Sequence, residues 1–234
     1  MKALLEPIKE IARFDELFRD LKKGTAGVTV ISGCLESQKA HMIAGLSEDV
    51  PVRLLIAENE LKAKELYEDY RLYDAETLYY PAKDLIFYQA DIHGNLLIRQ
   101  RLQVIQALLE RKEVTIITSV GGCMDFLLPL GVFEKHCIHL RNDSEFDLDK
   151  IRKELVRLGY ESTFQVESTG QFSVRGGILD IYPLTEQNPI RIELWGDEID
   201  SIRSFDAESQ RSIENLEEIT IYPASELILT ENTI

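Results

Sequence analysis

Between Gln171 and Arg211 the apolar residues recur at near every second position, and that period belongs to extended chain. Phe172/Val174, Ile178/Tyr182, Ile190/Ile192/Leu194 and Ile199/Ile202 are the β-forming runs, broken by Gly176-Gly177, by 185–189 and by Gly196-Asp197. Four strands joined by three turns follow, an antiparallel meander. If Ile190, Ile192 and Leu194 face a core, then Arg191, Glu193 and Trp195 share the opposite, wet face. An indole offers large area with few rotamers and a guanidinium makes forked hydrogen bonds, so Trp and Arg dominate interface hot spots. The plain alternative is ordinary surface charge beside a half-buried Trp, and residue type alone leaves both open.

Upstream the period changes. Residues 2–22 carry Leu4, Leu5, Ile8, Ile11, Phe14, Leu17, Phe18 and Leu21 at helical spacing, which predicts one amphipathic helix stopped at Gly24. An alternation of strands and helices follows. Strands are expected at 28–31, 52–57, 77–80 and 114–118, with helices over 37–46, 60–70 and 98–109 between them. Parallel strands need a covering crossover, so this alternation predicts a parallel sheet. Gly121-Gly122, Pro129 and Gly131 mark a boundary. Beyond it a strand is expected over 135–140, a helix over 148–158 capped by Asp147 and stopped by Gly159, the meander entered through a strand at 161–167, and a last strand over 217–223.

The first strand-to-helix turn is where a phosphate-binding loop would read G-x-x-x-x-G-K-[ST]. This chain has Gly33, then Gln38, Lys39 and Ala40. Gln38 puts a side chain where backbone must wrap phosphate, and Ala40 has no oxygen for a metal ion. Glu36 adds a carboxylate inside the anion nest. The turn reads as a nucleotide-binding frame that has lost its nucleotide, with Lys39 left as a surface helix residue, and no cofactor is expected.

Net charge is −15, from 26 basic against 41 acidic residues, which disfavours autonomous binding of nucleic acid because a negative surface repels phosphate. Residues 171–234 hold four Arg and no Lys against thirteen acids, so the arginines there stand out as candidates for specific contacts. Cys34, Cys123 and Cys137 lack C-x-x-C spacing and read as buried thiols. His136 and His139 lie three apart on an expected strand, facing opposite sides, so they cannot share a metal. Tyr70, Tyr79, Tyr80, Phe87 and Tyr88 form an aromatic-rich region with one cation, Lys83, and read as core and loop anchors. Asp197/Glu198 and Glu217/Glu218 have no nucleophile beside them, and nothing supports acid-base catalysis. The N-terminus has no apolar core of a signal peptide and no stretch approaches the roughly 20 apolar residues that span a bilayer, so a cytoplasmic protein with no membrane partner is expected.

The meander also carries a resemblance. Ser173-Val-Arg-Gly-Gly-Ile-Leu-Asp-Ile-Tyr-Pro183, Arg191-Ile-Glu-Leu-Trp-Gly-Asp-Glu-Ile-Asp200 and Phe205-Asp-Ala-Glu-Ser-Gln-Arg-Ser212 are similar to the module shared by the excision-repair subunit UvrB and the bacterial transcription-repair coupling factors (Mfd). The broken phosphate loop, and the absence of a basic-aromatic hairpin between Tyr80 and Leu102, favour the coupling-factor branch over an active UvrB-like ATP-dependent DNA enzyme. The resemblance implies an α/β fold: a degenerate helicase-like, P-loop-type parallel-sheet domain over 1–125, with an inserted α+β domain over 126–214 containing the meander. A return strand over 215–234 would complete the first domain in a chain cut short there. It implies a non-catalytic docking module for UvrA, with RNA polymerase and DNA reached only through other domains. The family's partner-contacting Arg falls on Arg175, and the alternate residues of the next strand on Arg191, Glu193 and Trp195. Ser173 stands where UvrB relatives often carry a second Arg, implying a differently balanced interface. A structural spacer is the remaining reading.

Overall fold

Runs of β-branched and aromatic residues separated by Gly, Pro and Asp turns become strands here wherever a neighbouring backbone completes their hydrogen bonds. The computed structural model describes residues 2–11, 13–24, 27–83, 91–226 and 228. The helices are α1 (Lys2–Leu5), α2 (Phe14–Lys22), α3 (Glu36–Leu46), α4 (Glu60–Tyr70), α5 (Asp91–Leu109), α6 (Val120–Met124), α7 (Leu130–Glu134) and α8 (Leu148–Arg157). The strands are β1 (Val52–Ala57), β2 (Leu78–Tyr80), β3 (Val114–Ser119), β4 (Ile138–Arg141), β5 (Glu161–Ser162), β6 (Gln171–Arg175), β7 (Ile178–Ile181), β8 (Ile190–Trp195), β9 (Glu198–Phe205), β10 (Ser212–Leu216) and β11 (Glu218–Ile221). The chain divides into two compact units, Met1–Lys83 with Glu110–Asp125, and Asp84–Leu109 with Phe126–Ile234.

The first unit is built on a parallel sheet in the order β1-β3-β2. β3 is central and buried along its whole length, with Val114 paired to Val52 of β1 and Ile116 to Leu78 of β2. α4 begins where the Asn59 side chain accepts the Lys62 N–H at 2.9 Å, and its Tyr70 reaches the core with Leu55, Ile117, Ala40 and Ala44.

Two expectations for this unit fail. Residues 28–31 form no strand: Val28 and Val30 are 95% and 85% exposed, and the sheet ends at β1. High β-propensity becomes a strand only when an edge accepts its backbone, and no described strand does so. The expected N-terminal helix is also broken. A 3₁₀ turn covers Glu6–Glu10 with Pro7 in its first turn, Ile11 is extended, and Arg13 takes a left-handed φ of 69° before α2. Proline has no N–H for an i→i−4 bond, so the α-helical ladder does not run through it.

The second unit holds a six-stranded sheet in the order β10-β9-β8-β7-β6-β5. The four central strands are antiparallel, with Phe172 opposite Ile181, Leu179 opposite Ile192 and Ile192 opposite Ile202. Gly176 and Gly196, at φ of 60° and 65°, make the two tight turns in the left-handed region that a side chain resists. One sheet face packs Phe172, Leu179, Ile181, Ile190, Ile192 and Ile202 against Leu155 and Leu158 from α8 and its C-cap and Leu102 and Ile105 of α5. Each such side chain contributes roughly 1.5–3 kcal/mol by leaving water. Asp147 caps α8 by accepting the Lys150 N–H at 3.0 Å.

Strand limits differ from expectation at three places. His136 and Cys137 lie in the turn after α7, ahead of β4. β5 spans two residues instead of seven, and β10 is a strand with no clear signal of its own. The expected division into 1–125, 126–214 and 215–234 also differs from the packing. α5 gives Leu102 and Ile105 to the second unit's core, and its buried Arg101 makes a forked ion pair with Glu226. β11 pairs with β4 inside that same unit.

Candidate functional site

The polar face of the meander is set by strand parity and register. Asp180 of β7 lies opposite Arg191 of β8, which lies opposite Arg203 of β9; Glu193 lies opposite Ser201 and Ile178. The register slips by one at Glu193/Leu194, where β9 carries an extra residue, yet Trp195 stays on the side of Glu193.

Asp180 is the centre of this face and is 1% exposed. A buried carboxylate is costly unless charged donors surround it. Arg191 Nε donates to Oδ1 at 2.6 Å and its Nη2 to Oδ2 at 2.8 Å, while Arg175 Nη2 donates to Oδ2 at 2.9 Å. Arg191 Nη2 also donates to Gln210 Oε1 at 2.9 Å, and its guanidinium lies 4.4 Å from the buried Phe205 ring centre. The hydrogen bonds to Asp180 hold the Arg191 guanidinium above its ordinary pKa, against the lowering effect of burial. Arg175 is held on one side only, with its side chain 41% exposed and its guanidinium over the exposed ring of Phe164. Glu193 pairs with Arg203 and accepts the Ser201 hydroxyl at 3.3 Å. Trp195 is 83% exposed.

The four residues singled out in the sequence, Arg175, Arg191, Glu193 and Trp195, therefore stand on one face in three different states. Arg191 is packed and held by three hydrogen bonds, Arg175 and Glu193 are half engaged, and Trp195 is open. Sequence reasoning missed three neighbours. Asp180 was legible, because it closes the run Arg175-Gly-Gly-Ile-Leu-Asp180 and faces Arg191 once the hairpin register is drawn. Arg203 follows from the same register. Phe164 gave no signal, since it sits in the irregular run after β5, pinned where buried Ser173 donates its hydroxyl to the Phe164 carbonyl at 2.7 Å.

The first unit offers a second candidate place, the carboxyl ends of its parallel strands, where α/β sheets bind ligands. It is occupied by its own side chains. Glu60 accepts the Tyr79 hydroxyl at 2.6 Å, the Ala82 N–H at 3.2 Å and the Ser119 hydroxyl. Burial first, then Glu60, push the Tyr79 phenol well up from its usual range. At the start of α3, Gln38 Oε1 accepts the Leu35 N–H at 3.1 Å, Lys39 Nζ is paired with Glu36 at 2.7 Å, and Ala40 is buried. Gly33 is left-handed at φ 84°, but no strand leads into it. The adjoining cleft of about 330 Å³ sets Lys39 and Lys62 among Glu36, Glu58, Glu65 and Asp69, a balance unfavourable to phosphate.

Cys137 is half-buried and burial pushes its thiol up to about 11, whereas Cys123 is exposed, which corrects the expectation of a buried thiol there. Among the described residues no group of three or more His, Cys, Asp or Glu could hold a metal ion, and no helix is long and apolar enough to cross a membrane. Tyr70 and Tyr80 are buried; Phe87 and Tyr88 lie outside the described residues.

One sheet face thus gathers Arg175 and Arg191 around a buried carboxylate, beside an open Trp. Residues 138–227 match the family model described as the UvrB interaction domain. Along its whole length the chain is 38% identical, over 239 aligned residues, to the transcription-repair-coupling factors of Staphylococcus aureus strains Mu50 and USA300. It is 36% identical over 208 residues, 88% of the chain, to that of Staphylococcus haemolyticus. The likeness read from the motifs of the meander therefore holds across the chain. The chain spans about a fifth of the length of these relatives.

Proposed function

We propose that this chain is a non-catalytic docking module of a transcription-repair coupling factor, and that the polar face of its meander binds UvrA. The observation that carries this reading is the Asp180 cluster: two arginines fixed by one buried carboxylate, next to an indole that is 83% exposed. Large exposed aromatics and oriented guanidinium groups are what interface hot spots are made of. The match of residues 138–227 to the UvrB interaction domain covers this face. In this proposal the first unit is a helicase-like layer that has lost its nucleotide, since Gln38 and the Lys39–Glu36 pair take up the loop's donors and charge and Ala40 offers no oxygen to a metal ion. RNA polymerase and DNA are then reached through other parts of the full protein, which acts in the cytoplasm to bring nucleotide excision repair to stalled transcription.

The test is titration calorimetry of the chain with purified UvrA, with ATP titrated in parallel. Micromolar or tighter binding to UvrA with no heat from ATP supports the reading. Arg175→Ala is expected to weaken binding by about thirtyfold, on the order of 2 kcal/mol. No binding to UvrA sinks the docking reading and leaves a spacer, while a saturable ATP signal points to a nucleotide-dependent enzyme.

A further inference from the structure

The two arginines of the face differ in what they still have to give. Arg191 spends Nε and Nη2 on Asp180 and shares Nη2 with Gln210, and it is stacked on Phe205. Arg175 spends a single N–H of Nη2, so the second Nη2 N–H and the N–H beside it on Nε or Nη1 remain as one two-donor edge of the planar fork. Two parallel N–H donors at the spacing of a guanidinium edge match the two oxygens of a carboxylate. Holding that plane still before contact removes most of the rotamer entropy that a long, flexible side chain would lose on binding.

We infer that Asp180 is the positioning residue of the docking face: its buried carboxylate presets Arg175, with Arg191 as the strut beside it, so that the free edge of Arg175 receives a carboxylate of the partner protein. This deepens the UvrA-docking reading and rests on it. Asp180 itself is too buried to touch the partner. Its Oδ2 joins Arg175 to Arg191, so the two guanidinium groups are placed as one body. Gln210 and Phe205 hold the far side of Arg191 and keep that body from turning.

Two measurements test this. The first is arginine side-chain NMR of the unaltered chain, with Arg211, exposed and with no side-chain hydrogen bond to a described residue, as the mobile reference. Nε–Hε order for Arg175 and Arg191 near that of rigid backbone, an order parameter of about 0.8, is expected. An Arg175 as mobile as Arg211 overturns the inference. The second is UvrA affinity for wild type, Asp180→Asn, Arg175→Ala and the double variant, each checked for folding by its melting temperature. Asn replaces one acceptor oxygen by a donor that faces a guanidinium. Asp180→Asn is expected to weaken binding about tenfold alone and less than threefold in the Arg175→Ala background, because it acts through that arginine. Unchanged affinity, or the same tenfold loss in both backgrounds, overturns the inference while leaving UvrA docking intact. Absence of UvrA binding by wild type is a different result and removes both. Should Asp180→Asn fail to fold, the order of Arg175 in the unaltered chain decides.

Discussion

At the scale of single residues, the polar face separates side chains that hold the fold from those left open for the proposed partner. Trp195 is open to solvent, so Trp195→Ala is expected to leave stability within about 0.5 kcal/mol of wild type, which urea unfolding would measure. The same change is expected to cost on the order of 2 kcal/mol in UvrA affinity. Arg191→Ala behaves differently. It takes two of three hydrogen bonds from a carboxylate that is 1% exposed, and removing one partner of a buried pair costs about 3 kcal/mol or more. Its binding loss would thus be mixed with unfolding, and a double alanine variant of Arg175 and Arg191 would strand Asp180 altogether. Trp195→Ala and Arg175→Ala are the variants that report on docking.

At the scale of elements, α8 supports the sheet that carries the face. Leu155 and, just past the helix end, Leu158 press on the buried side of the meander, and the Asp147 cap sets where that helix begins. Asp147→Ala leaves the Lys150 N–H without its side-chain partner and is expected to cost about 1 kcal/mol, read as a lower urea midpoint with an unchanged slope. A one-residue slip between β7 and β8 would be worse than any single substitution. It would move Asp180 off Arg191 and turn Ile190 and Ile192 outward together. Register and site are the same property of this sheet.

At the scale of the whole molecule, charge limits the partners. With a net −15 the chain should not be retained on duplex DNA at about 0.15 M salt, which a filter or anisotropy assay would check, and retention there would overturn the expectation. The proposed docking through Arg175 would escape this limit because recognition by a fixed fork is local. The acidic surface instead discourages a second, unspecific contact by any strongly acidic protein.

The strands of the meander, most helix limits and the side on which Arg191, Glu193 and Trp195 stand were legible from periodicity alone, because a strand's side-chain alternation is local geometry. The β-branched run at 28–31 shows where that logic stops: its residues have the propensity of a strand, but pairing needs an edge that only the folded sheet supplies. Pairing of β11 with β4, and the docking of α5 into the second unit, were likewise decided by packing between segments far apart in sequence. So was the candidate site. Sequence named Arg175 and Arg191, but whether each is open or already spent depends on a buried Asp180 beneath them, and burial belongs to the tertiary structure. The residue types on the face came from local pattern, and the division of labour among them came from what lies underneath.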